Sequence, residues 1–218
     1  MVMHDDHLLQ SASSEAFDIL NSLGLEQEDV MDLDSDTMMM AEGMSMADSK
    51  KLMRSPVTKL ADFAANRLRR DARIATFSIN GWDTHRGQKG AMRKALNSLN
   101  VAILRLKQGL GGEWQNTAVV AMTEFGRTAR QNGTFGTDHG TGGLAVFAGG
   151  ALKGGKVMGD WPGLAEVDLY ARRDLMPTRD VRSYAGWLMR GLYGFDRALI
   201  EDVVFPGLDL GSDPGVLS

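Results

Sequence analysis

The chain of 218 residues has no cysteine. That excludes disulfides and thiolate metal sites, so any bound metal must be held by imidazole, carboxylate, hydroxyl or backbone oxygen. It has no basic tract, and its net charge is −4 with a pI near 5.6; both argue against a nucleic-acid partner. No apolar run approaches the ~18 residues that a membrane-spanning helix needs. The first ten residues, "MVMHDDHLLQ", lack a basic stretch followed by an apolar one. No signal peptide is therefore read, and the cytoplasm is the default compartment. Histidine is scarce, with four in all. One of them, His85, stands two residues from Asp83 at the end of an apolar run.

What is present is ordinary for a globular protein, with 43% apolar and 24% charged residues, and is long enough for one sizeable core. Residues 1–56 are weakly patterned. "SSEAFDILNSLG" reads as a short helix with Ser13 or Ser14 as N-cap and Gly24 near the stop. "DTMMMAEGMSMADSKKLMRSP" holds six of the fourteen methionines; such a stretch can bind a soft metal such as Cu(I), but methionine is more often a flexible gap-filler.

Residues 57–218 carry sharper signals. Val57, Leu60, Ala64 and Leu68 recur at helical spacing. "IATFSI" (74–79) alternates, with Ala75, Phe77 and Ile79 on one face, and predicts a strand. Met92, Leu96, Leu99, Ile103, Leu106 and Leu110 define an amphipathic helix within 88–110, stopped by "GLGG". "TAVVAM" (117–122) reads as a buried parallel strand and "LAVFA" (144–148) as another, with a glycine-rich polar loop between them. Val181, Tyr184, Leu188 and Leu192 mark a last helix. This order predicts an α/β fold with a mainly parallel sheet flanked by helices.

In open α/β sheets, ligands gather outside the carboxyl ends of the strands. Three polar clusters fall beside predicted strands: Asp83–Thr84–His85, "TEFGRT" (123–128) and "GTDHGTGG" (136–143). Together they offer Asp83, His85, Glu124, Asp138 and His139 as metal ligands, a mixed carboxylate and imidazole set that suits Zn²⁺ or Mn²⁺, as one ion or two. Arg127, beside them, is a candidate partner for a phosphate or sulfate. Each motif alone has a plainer reading, as a turn, a cap or a surface charge; it is the shared placement that makes a site. The loop glycines can bring backbone N–H groups close to an anion or metal, or can simply make a mobile surface loop.

"GWDTHRGQ", "TEFGRTARQNGTFGTDHGTGG", "GGALKGGKVMGDWPGL" and "PTRDVRSYAGWLMRGLYG" resemble the family called domain of unknown function 1501, across residues 15–210. That resemblance implies a place in the alkaline phosphatase and sulfatase superfamily, with an alkaline-phosphatase-like sandwich fold over 57–218. It also implies metal-dependent hydrolysis of phosphate or sulfate esters. The family is mainly bacterial and often exported by the twin-arginine route, so a periplasmic or exported location is the alternative if this chain is part of a longer protein. By resemblance, Asp83 and His85 match a metal-binding pair. Glu124 stands where relatives have Asp-His-Gly, Phe125 takes the place of the usual ligand histidine, and Asp138 and His139 offer an imidazole from the next loop. The superfamily keeps a first metal-binding Asp and a Ser or Thr nucleophile in an N-terminal half, and nothing before Ile74 reads as a strand ending in such a motif. The expectation is therefore the metal-ligand-bearing half of a hydrolase. The alternatives are a non-catalytic accessory or binding protein that retains the fold, and an esterase that uses metal-activated water.

Overall fold

The computed structural model describes residues 55–218. The helix predicted in 13–24, nearly all of the methionine-rich segment, and His4 and His7 lie outside the described residues.

Helix α1 (Pro56–Leu68) starts where a cap and a proline dictate. The Ser55 side chain accepts from the Thr58 N–H, and Pro56 occupies the first turn, where no N–H is needed. Its buried positions are Thr58, Ala61, Ala64 and Ala65; of the predicted Val57–Leu60–Ala64–Leu68 stripe, Ala64 is buried and Val57 and Leu68 pack half-buried against the core. Small residues win this face because helix α2 (Gln88–Leu110) packs closely on it. A Cβ added at Gly109 of α2 would lie 2.7 Å from the Ala65 Cβ. Ala102, Leu106 and Leu110 complete this core. Across the same interface the buried Arg105 forks onto Asp62, at 2.6 and 2.7 Å.

The sheet departs from expectation. Strand β1 (Val119–Ala121) and strand β4 (Val146–Ala148) lie within the predicted segments, but they pair antiparallel, Val120 opposite Phe147. The parallel arrangement expected from the sequence is corrected by the connection. A parallel partner needs a crossover that carries the chain back to the starting end. Here residues 122–145 hold no helix, only a ribbon of strands β2 (Gly126–Arg127) and β3 (His139–Gly140). The chain re-enters β4 at the end where it left β1.

The third predicted strand, 74–79, joins no ladder. Its alternation is real in part, since Phe77 and Ile79 pack against the α1–α2 core while Thr76 and Ser78 are exposed. The backbone, however, has no pairing partner among the described residues. A period of two reports which side of a chain meets a core; it does not supply a neighbouring strand. The fold is thus a mixture of helices and small antiparallel sheets. Between the 74–82 segment, α2 and the β1 segment lies a cavity of about 1980 Å³.

Helix α3 (Val181–Tyr193) opens on Asp180, whose carboxylate accepts from the Arg182 N–H at 2.9 Å, and closes on Gly194 in the left-handed conformation. It anchors a second core of Ile200, Leu208 and Leu210, with Trp187 packed against it. A π-helical turn, Leu199–Val204, carries Ile200 into that core.

Candidate metal centre

Residues 82–84 reach the site without regular secondary structure after the 74–79 segment, a bend begins at His85, and β3 supplies His139 opposite Arg127 on β2. The ribbon requires glycine. A Cβ at Gly136 would sit 2.2 Å from the His85 carbonyl carbon, and one at Gly126 would sit 2.1 Å from the Gly142 oxygen. These glycines therefore let backbone pack on backbone, which holds the loop carrying Asp138 and His139 against the loop carrying Asp83 and His85.

Three of the predicted residues converge. Asp83, His85 and His139 each offer a ligand atom within 4.8 Å of the others. Asp83 Oδ1 is their hub, 2.9 Å from His85 Nε2, 2.8 Å from His139 Nε2 and 3.3 Å from Arg127 Nη2. The other nitrogen of His85, Nδ1, lies 3.0 Å from Asp138 Oδ1. Asp138 thus touches the cluster from outside, and Glu124, exposed on the cavity wall, is not part of it. The hydrogen bond with His139 holds the Asp83 carboxyl below its ordinary value of 3.8, helped by the charges of His85, His139 and Arg127. Asp138 is lowered by its hydrogen bonds from Asn132 and then from His85.

Arg127 is largely committed to the protein. Its guanidinium donates to the Trp82 and Thr137 carbonyls, and so ties the two ligand-bearing loops together. Two supporting residues carried no sequence signal for this role. Phe125 stacks flat on His139, with centroids 4.1 Å apart and planes 12° apart, beneath the Arg127 guanidinium. Asn132 donates to both the His85 carbonyl and the Asp138 carboxylate, while its own oxygen accepts from the Thr134 and Gly136 N–H groups. An Asn before a glycine announces a turn, but nothing local says which distant histidine the turn will grip. Thr84, between Asp83 and His85, is 2% exposed, so its hydroxyl is closed to any substrate.

The donor set fits a divalent cation. Two imidazoles and one carboxylate with an open fourth position are the ligands of many catalytic zinc sites. Metal–ligand distances of about 2.0–2.2 Å place tetrahedral donors a little over 3 Å apart; the two Asp83 contacts, at 2.8–2.9 Å, are shorter than this, and the two imidazole donors lie within 4.8 Å of each other.

A family model described as "Protein of unknown function (DUF1501)" matches residues 2–193. No curated protein and no solved structure matches the chain. Among the described residues, no helix is long and apolar enough to cross a membrane. With the match covering most of its length, the chain belongs to the DUF1501 family.

Proposed function

We propose that Asp83, His85 and His139 hold a divalent cation, Zn²⁺ or Mn²⁺, in the metal-binding part of an alkaline-phosphatase- or sulfatase-like hydrolase of phosphate or sulfate esters. The observation that carries this reading is the convergence of one carboxylate and two imidazoles within 4.8 Å, contributed by two loops more than 50 residues apart in sequence. Such an ion supplies Lewis acidity, which polarises an ester oxygen and makes water a better nucleophile. The chain's own residues position the site: Arg127 clamps the loops, Phe125 orients His139, and exposure of the cluster leaves room for an anionic ester. Asp138 and Glu124, first considered as ligands, stand beside the site. A second ion would need donors from beyond this cluster.

Among the described residues a covalent route through Thr84, the hydroxyl between the ligands, has no support, because that hydroxyl is buried. That observation favours metal-activated water, and it keeps the accessory-protein reading as the second choice. The test is elemental analysis of the full chain after Zn²⁺ and Mn²⁺ loading, with an aryl phosphate and an aryl sulfate as substrates. One ion per chain is expected, lost in an Asp83→Ala, His85→Ala double variant, with turnover weak and metal-dependent. No bound metal in the unaltered chain would remove the hydrolase reading and leave the accessory protein. Stoichiometric metal without turnover would keep the site and discard the activity.

A further inference from the structure

We infer that Asp138 is a positioning residue for the proposed cation, fixing the His85 ring so that Nε2 and not Nδ1 is presented to the ion. The inference rests on the metal reading above and deepens it. An imidazole has two nitrogens, and a metal ligand uses one while the other donates its proton. In this chain Nδ1 faces Asp138 Oδ1 at 3.0 Å, while Nε2 faces the hub oxygen of Asp83 at 2.9 Å. The two nitrogens point in diverging directions. A carboxylate on the Nδ1 side therefore cannot also reach an ion on the Nε2 side, and Asp138 lies outside the three-residue cluster.

Asp138 is itself held in place. Asn132 Nδ2 donates to its Oδ1 at 2.9 Å, and the Thr128 hydroxyl accepts from its backbone N–H at 3.1 Å. The same loop grips the His85 backbone, whose carbonyl accepts from Asn132 Nδ2 at 3.1 Å and from Thr134 Oγ1 at 2.6 Å. Ring and backbone of His85 are thus both referenced to residues 132–138. This explains why the "TDHG" motif carries two titratable residues: His139 is offered to the ion, and Asp138 sets a different histidine.

The experiment uses the full chain and Zn²⁺ alone as probe. Affinity is read by competition with a chromophoric chelator, and the His85 ring state by long-range proton–nitrogen NMR of histidine-labelled protein. Asp138→Ala is expected to weaken Zn²⁺ binding 10- to 100-fold and to leave His85 in mixed tautomers. The near-isosteric Asp138→Asn, which can still accept from Nδ1–H, should recover part of the affinity and the single tautomer. Asp83→Ala should bind far more weakly than either. Affinity within about threefold of the unaltered chain in Asp138→Ala, with one His85 tautomer, would overturn the positioning role. So would a loss as deep as that of Asp83→Ala with no recovery by asparagine, which would make Asp138 a ligand. If the unaltered chain binds no Zn²⁺, the metal reading fails first, and this inference fails with it.

Discussion

Thr84 separates the two residues of the Asp-x-His pair, and its Oγ1 is buried with no hydrogen-bond partner among the described residues. A buried hydroxyl without a partner costs stability, and a methyl of the same shape does not. Thr84→Val should therefore raise stability by about 1 kcal/mol in chemical denaturation and leave Zn²⁺ affinity unchanged. A fall in affinity would show that the hydroxyl reaches the site. Gly136 has the opposite character. Any side chain there meets the His85 backbone at 2.2 Å, and backbone cannot swing aside as a side chain can. Gly136→Ala is expected to cost about 1–3 kcal/mol and to weaken metal binding together with stability, because His85 must move to make room.

The helices owe their ends to local chemistry, and the α1–α2 pair adds one half-buried ion pair to its apolar interface. Asp180 caps α3, and its hydrogen bond from the Arg182 side chain holds its carboxyl below 3.8. A lowered folded value means the charged form is favoured by folding. The cap therefore contributes fully above 3.8, and its contribution fades as pH falls through the lowered value. Asp180→Ala should cost about 1 kcal/mol near neutral pH, and the gap between variant and parent should close as pH drops below 3.8. A gap that persists in acid would mean the loss is packing, not charge. In the α1–α2 pair, Asp62→Ala removes the carboxylate fork from Arg105, a residue that is 4% exposed. The expected cost is about 2 kcal/mol, in the range for hydrogen bonds to charged groups. It is below that of a fully buried pair because Asp62 is partly solvated and Gln108 still accepts from Arg105.

At the scale of the whole described unit, the most conspicuous feature is the cavity of about 1980 Å³. Unpaired backbone of 74–80 flanks it on one side and β1, paired along only one edge, on another. Its apolar wall includes Leu96, which is 49% exposed on α2. An accessible apolar concavity of this size takes up hydrophobic dyes, so the native chain should enhance 1-anilinonaphthalene-8-sulfonate fluorescence while keeping its near-ultraviolet circular dichroism. Leu96→Glu should reduce that signal without loss of fold. Dye binding that survives this substitution would place the exposed apolar surface elsewhere, for example at Trp161 and Val167, which are 70% and 82% exposed.

The sequence by itself determined what depends on neighbours along the chain. The spans of α1, α2 and α3 follow from a 3.6-residue period bounded by Ser55, Asp180 and Gly194, and β1 and β4 fall inside the two short apolar runs. The sequence offered Asp83, His85, Glu124, Asp138 and His139 together, because two of its four histidines and three carboxylates stood beside predicted strands; that only Asp83, His85 and His139 converge was decided by the fold. Tertiary structure decided whatever depends on residues far apart. The antiparallel pairing of β1 with β4 was set by where residues 122–145 return the chain, and hydrophobicity does not encode that. The isolation of 74–79 was set by the absence of a partner in the described unit, which no period can reveal. The division of labour within the site was decided in the same way. Asp138 and His139 are adjacent in the chain, but His139 opens β3 while Asp138 lies just before it, and their side chains reach different partners. One meets Nδ1 of His85 and the other meets Asp83, a distinction that exists only once the ribbon has folded back on the 82–85 loop.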